Sequence, residues 1–242
     1  MNTKAEVNKY RTTATVVGVV YLLGFVVGLV GMGLFTSILS GPDYLSTVSA
    51  KSTLLGFAAV LWLMAVIGDA AHGVLMFPIL KQHSERMAVG YLAFRIVDAI
   101  FIAIMVLFVL IQIPLGSEYL KAAASDTAFL QALSTLFSQT QQYAYQIGMS
   151  ALGISGLMLC YTLYRAKLLP GWLALWGLVG YATILIGMLS AIMGSGLGDL
   201  SSYLGGLWEM FVGVWLIVKG FRSPAVLSQV ATTSKLAEPL VP

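Results

Sequence analysis

Residues 88–113 read AVGYLAFRIVDAIFIAIMVLFVLIQI, a run of 26 positions in which Arg95 and Asp98 are the only charges. A hydrocarbon core about 30 Å thick is crossed by roughly 20 apolar helical residues rising about 1.5 Å each. The run is therefore long enough to span a bilayer. Its two charges lie three positions apart and so share one helical face. A charge facing lipid costs several kcal/mol, so that face must turn toward other protein. One stretch thus predicts both a spanning helix and a polar interior.

Five further segments reach spanning length: Ala14 to Phe35, Leu54 to Leu80, Gln141 to Tyr164, Trp172 to Met193 and Leu200 to Val218. Apolar residues form 59% of the 242 positions and charged residues 10%, with a mean hydropathy of +0.90, outside the mixture of a soluble domain. The expected fold is all-α: a polytopic transmembrane bundle of six helices in one domain, residues 1–222, followed by a flexible cytoplasmic tail, 223–242. The net charge of +3 is scattered singly beside apolar segments, which excludes a nucleic-acid stripe; the expected environment is the lipid bilayer. Cys160 is the only cysteine, so no intrachain disulfide forms, and it reads as a small buried hydrophobe.

Lys4, Lys9 and Arg11 precede the first segment as in a signal peptide, but about 22 apolar residues exceed the roughly 7–15 of a signal core. The segment reads as a retained helix. With the N-terminus in the cytoplasm, the inside segments hold Lys4, Lys9, Arg11, Lys81, Arg86, Arg165, Lys167, Lys219, Arg222 and Lys235, and the outside segments hold only Lys51 and Lys121. Basic residues stay on the cytoplasmic side, so both termini are expected there, in the plasma or bacterial inner membrane. Pro114 to Thr140 would be an outer connection carrying an amphipathic interface helix, and Pro78 a kink or an end of the second helix. Gly24 and Gly28 form a G-x-x-x-G pair, with Gly153, Gly156, Gly177 and Gly180 as further small positions. Such residues let helices approach closely and offer a homodimer face. Trp62, Trp172, Trp176, Trp208 and Trp215 read as interface anchors. No internal repeat is visible.

The informative residues are the ionisable ones inside apolar segments: Asp69, His72, Arg95, Asp98 and Glu209. Counted from the cytoplasmic helix ends, Asp69 and Asp98 lie at roughly 16 Å, Glu209 at roughly 15 Å, and His72 and Arg95 at roughly 12 Å. They form one layer, expected to be a buried polar cluster for binding or for a proton or ion path. Three carboxylates against one guanidinium leave a formal charge of −2, which protons, a charged His72, a bound cation or water must offset. Asp69, His72, Asp98 and Glu209 are also the candidate ligands for a divalent metal, although no H-E-x-x-H pattern or serine triad accompanies them. Tyr143, Tyr145 and Gln146 begin the fourth segment and are candidates for an outer entrance.

Phe94-Arg95-Ile96-Val97-Asp98, Tyr164-Arg165-Ala166-Lys167-Leu168-Leu169-Pro170-Gly171-Trp172, and Trp208-Glu209 followed by Trp215-Leu216-Ile217-Val218-Lys219-Gly220-Phe221 resemble the bacterial membrane family known as Domain of Unknown Function 4386. The resemblance covers about residues 10 to 222. That family tends to carry glutamate three residues after the arginine, where this chain has Asp98. The resemblance implies the architecture and no mechanism. Three functions remain: a small transporter or ligand-binding membrane protein, an intramembrane enzyme acting on a lipid-like substrate, and a non-catalytic subunit with a structural polar core. The first is favoured, because the charged layer sits at mid-depth and is not charge-balanced.

Overall fold

Helices satisfy their own backbone groups, which is what an apolar chain of this kind requires. The computed structural model describes residues 3–41 and 43–222. Among them stand eight helices and no strand: α1 (Thr3–Leu39), α2 (Tyr44–Ala50), α3 (Ser52–Lys81), α4 (Glu85–Leu110), α5 (Gln112–Lys121), α6 (Thr127–Arg165), α7 (Gly171–Ile192) and α8 (Gly198–Val218). Six helical stretches are long and apolar enough to cross a membrane: α1, α3, α4 continued by α5, α6, α7 and α8. The tail expected to be flexible lies outside the described residues.

The six long helices close a ring in chain order. α1 packs on α3, α3 on α4, α4 on α6, α6 on α7, α7 on α8, and α8 returns to α1. Two apolar cores occupy opposite ends. One gathers Val17, Met76, Leu80, Ala88, Leu159 and Leu163 near the end that carries the N-terminus. The other gathers Phe35, Ile38, Val48, Leu55, Val106 and Val109. Outward faces are apolar too: Leu23, Ile67, Leu107 and Ile186 are exposed, as side chains facing hydrocarbon would be.

The connections depart from the expected plan. The segment after Pro114 does not float as a separate interface helix. α6 is 39 residues long, about 58 Å, and carries Phe129 to Thr140 as the first turns of the fourth spanning helix. Pro114 sits in the first turn of α5, where a proline is tolerated, and the break falls just before it at Ile111. Buried polar groups then fasten this end. Gln112 Nε2 donates to the Ser134 carbonyl (3.2 Å) and to Ser138 Oγ (3.2 Å), Ser134 Oγ donates to Gln112 Oε1 (2.6 Å), and Tyr44 of α2 joins Ser134. That network needs α6 against α5, which is why the amphipathic stretch is drawn into the bundle. Pro78 lies inside α3, which runs on to Lys81.

Helix ends at the opposite side are closed by local chemistry. Ser84 Oγ accepts from the Met87 N–H (3.4 Å) as the cap of α4. After α6, Lys167 takes a left-handed conformation (φ 54°) and Leu168 N–H bonds the Leu163 carbonyl at 3.0 Å, a Schellman closure with lysine in the place usually held by glycine. Arg11 Nη2 donates to the Ile217 carbonyl (2.7 Å) at the end of α8, where a cation meets the negative end of the helix dipole.

Two sequence expectations about packing change. Trp208 is fully buried, its indole N–H donating to the Leu173 carbonyl at 2.7 Å, so it is a core residue joining α7 and α8 rather than an interface anchor. Trp62 is half-buried and stacks on Phe35, while Trp172 is exposed beside Phe211 and Trp215. Among the glycines, a Cβ at Gly153 would sit 2.9 Å from Leu185 Cβ and one at Gly180 2.9 Å from Gly205 Cα. These are true close approaches. At Gly24 and Gly28 an added Cβ would meet nothing within 4 Å, so the G-x-x-x-G pair does not pack a helix within this chain. It borders open space.

This contrast yields an expectation for thermal unfolding in detergent. Gly24→Ala and Gly28→Ala should be neutral or stabilising by up to about 1 kcal/mol, the gain in helix propensity. Gly180→Ala should destabilise by about 1–3 kcal/mol through overpacking. Equal losses at all three positions would show that Gly24 and Gly28 are packed.

Candidate functional site

Small residues decide how the polar side chains meet. At Gly73 of α3 a Cβ would come within 3.0 Å of Leu92 and 3.2 Å of Arg95 Cβ; its absence lets α4 lie close enough for Arg95 to reach α3. The Arg95 guanidinium then donates from Nη1 to Asp69 Oδ1 at 2.7 Å and lies 3.7 Å from Asp98 Oδ2. The arginine is 1% exposed and Asp98 1%, whereas the Asp69 side chain is 33% exposed. Neither Asp98 oxygen has a hydrogen-bond partner among the described residues. Arg95 also stands over the Tyr91 ring, 5.8 Å from its centroid, a cation–π distance.

Glycines build the opposite wall in the same way. A Cβ at Gly156 of α6 would overlap the Tyr181 ring, and one at Gly177 would strike Cys160 and Trp208. With those atoms missing, Tyr181 of α7 enters the bundle and donates its hydroxyl to Glu209 Oε1 at 2.7 Å. His72 is buried, pairs through Nδ1 with the Tyr91 hydroxyl at 2.5 Å, and leaves Nε2 without a hydrogen bond. The Tyr21 ring of α1 lies against the imidazole, centroids 4.1 Å apart. Tyr21, Tyr91 and Tyr181 were not singled out in the sequence. Their signal was available, because Tyr91 precedes Arg95 by four positions and shares its face.

These groups border a cavity of about 340 Å³, within the range of small-molecule sites. Asp69, His72, Arg95 and Glu209 line one end of it, and Val20, Phe25, Leu29, Met32, Met149 and Leu152 supply apolar wall. Asp98 does not line it; it lies behind Arg95. Four of the five ionisable residues thus share one space, and the fifth supports the arginine. Of the expected entrance residues, Tyr145 lines this cavity and a second one of about 270 Å³ that continues beside Thr36, Ser138 and Gln142. Tyr145 meets Trp62 edge to face (6.4 Å) where the two cavities adjoin. Tyr143 is exposed, and Gln146 is buried and lines neither cavity.

The cavity has a side opening. α1 and α8 are in tight contact where a Cβ at Gly18 would lie 2.5 Å from the Gly213 carbonyl oxygen. Farther along, a Cβ at Gly24 or Gly28 would meet nothing within 4 Å and one at Gly206 of α8 would lie 3.5 Å from the Phe25 side chain, while the cavity lining on this side includes the exposed Leu29, Tyr203 and Leu207. By contrast α1 stays on α3 there, a Cβ at Gly31 reaching within 2.6 Å of Trp62.

The four candidate metal ligands do not converge. Arg95 draws Asp69 and Asp98, Tyr91 engages His72 and Tyr181 holds Glu209. Among the described residues no three His, Cys, Asp or Glu side chains come together as a ligand set.

Removing one partner from a buried ion pair leaves the other uncompensated. Arg95→Met should therefore lower stability by about 3–5 kcal/mol, and Tyr181→Phe, which keeps the ring in its glycine-lined slot, by about 1–2 kcal/mol. Unfolding in detergent checks both. A mild Arg95→Met would mean that the carboxylates are satisfied without the arginine.

No curated protein and no solved structure matches this chain. A family model described as Domain of unknown function (DUF4386) matches residues 16–220. That match spans most of the 242 residues and includes Asp69, His72, Arg95, Asp98 and Glu209, so the chain belongs to the DUF4386 family.

Proposed function

We propose that this is a multi-pass membrane protein, both termini cytoplasmic, which binds a small amphiphilic molecule in its central cavity and carries it across the membrane. The observation that carries this reading is the cavity itself: apolar along its length, with Asp69, His72, Arg95 and Glu209 gathered at one end. Ligand sites combine apolar walls with a few convergent polar groups, and ionisable residues inside spanning helices are costly enough to mark function. A clamp that only joined helices would be balanced by one carboxylate; here two flank one arginine and a third, Glu209, lines the same cavity.

The closed end supports carriage in particular. Beyond the charged groups the helices meet in an apolar core that includes Val17, Met76, Leu80 and Leu159, so the space is closed toward the end that carries the N-terminus. A carrier exposes its site to one side at a time. Passage to the other side requires α1 and α8 to part at Gly18 and Gly213 and Arg11 to leave the end of α8. The distribution of lysine and arginine supports the orientation, since the end with the N-terminus also carries Lys81, Arg86, Arg165 and Lys219.

A thermal-shift screen of purified protein against amphiphiles of positive, negative and zero charge tests the binding. A ligand at about 100 times its Kd stabilises by about 2.7 kcal/mol, or roughly 5–10 °C in a chain of this size. That shift should vanish in Glu209→Gln or Asp69→Asn. No shift with any class, or shifts equal in the variants, would refute the site. For orientation, His83→Cys should react with a membrane-impermeant thiol reagent only from the cytoplasmic side and Lys121→Cys only from the opposite side. Cys160, being buried, supplies little background. The reverse pattern would invert the topology.

A further inference from the structure

The chemistry of the ligand's head group follows from which charges in the cavity are already engaged; this step rests on the reading that the cavity binds a ligand. Arg95 is committed, with Asp69 at 2.7 Å and Asp98 at 3.7 Å. The Nε of Arg95 has no hydrogen-bond partner but is buried, and an anionic head group drawn to the guanidinium would also face the carboxylates of Asp69, Asp98 and Glu209. Glu209 differs. Its hydrogen bond comes from the neutral Tyr181 hydroxyl, and among the described residues no lysine, arginine or histidine pairs with it. The position favoured for a charged ligand group is therefore a cationic one, beside Glu209 and the exposed part of Asp69.

The rest of the space fixes the character of the ligand's body. Trp62, Tyr145 and Tyr203 present aromatic surface to the cavity among its apolar walls, and aromatic faces attract cations as well as apolar groups. The side opening between α1 and α8 looks onto a bundle surface made of Leu23, Val26, Leu29 and Leu207, all exposed. A molecule entering there comes from hydrocarbon, so it must already partition into the bilayer.

We propose that the cavity receives a lipophilic organic cation, an ammonium or phosphonium centre carrying apolar groups, which enters from the bilayer between α1 and α8 and sets its positive centre against Glu209. Charge and apolar body are both required. Charge alone would leave the aromatic walls unused, and an apolar body alone would leave Glu209 with the Tyr181 hydroxyl and no cation.

Tetraphenylphosphonium and tetraphenylborate, nearly equal in size and opposite in charge, separate these terms. Equilibrium binding is measured on detergent-purified protein with protein-free micelles subtracted, and tetramethylammonium serves as a competitor. The phosphonium should bind at least tenfold more tightly than the borate. Glu209→Gln, which retains an acceptor for Tyr181, should erase that preference while its ligand-free unfolding temperature stays near that of the unchanged protein. Tetramethylammonium at equal concentration should not compete. Borate binding as tight as phosphonium, a preference that survives in Glu209→Gln, or competition by tetramethylammonium would each overturn the proposal and leave the cavity as a ligand site. If Glu209→Gln fails to fold, the phosphonium-to-borate ratio in the unchanged protein still decides. Binding of neither ion overturns the proposal. The neutral compounds of the thermal-shift screen then tell whether the broader reading falls with it.

Discussion

A guanidinium buried to 1% exposure inside an apolar bundle is the constraint on which the arrangement depends. Taking an ion out of water costs several kcal/mol even after relaxation, and the cost is offset only when partners with good geometry are supplied. Arg95 finds Asp69 across the α3–α4 contact and Asp98 one turn along its own helix. To bring them together the two helices must approach at Gly73, and the α4 face that carries Arg95 must turn inward. Once α4 is fixed in rotation, its other neighbours follow. Gly148 of α6, where a Cβ would lie 3.3 Å from the Asp98 carbonyl oxygen, packs behind the pair, and Tyr91 is held between His72 and the arginine.

The same logic accounts for a ring with a space inside it. A bundle whose interior were wholly apolar could collapse until helices on opposite sides touched. Here α6 carries glycines where α7 brings in Tyr181, and α7 carries Gly177 where α8 brings in Trp208. The large side chains fill one half of the interior. On the other side α1 has Gly24 and Gly28, where an added Cβ would meet nothing within 4 Å. Close packing on one wall and missing side chains on the other leave a cavity that is charged at its sealed end and apolar toward its mouth.

Much of this was legible in the sequence, for definite reasons. The number of spanning helices and the sharing of one helical face by Arg95 and Asp98 follow from length and a period of 3.6, which one helix obeys regardless of its neighbours. What the sequence concealed depends on pairs of helices. Gly24 and Gly28 have the same spacing as a packing motif, and only the position of α8 reveals that nothing fills the space beside them. Trp208 joins α7 to α8 instead of anchoring at an interface, because its N–H donates to the Leu173 carbonyl across the α7–α8 contact, a pairing that no single segment reveals. The stretch after Pro114 has the pattern of an interface helix, and Gln112 and Ser134, 22 positions apart, draw it into the bundle. Of the charged layer, Asp98 proved to be a support for Arg95 rather than part of the cavity wall, a distinction of side-chain direction that depth alone does not carry.

The most direct test is a cryo-EM map of the protein in lipid nanodiscs containing tetraphenylphosphonium. The account predicts density for the ion between α1 and α8, bounded by Gly24 and Gly28 and in contact with Glu209, with Arg95 still bonded to Asp69. A map in which α1 packs on α8 along its whole length, leaving no space beside Glu209, would contradict it.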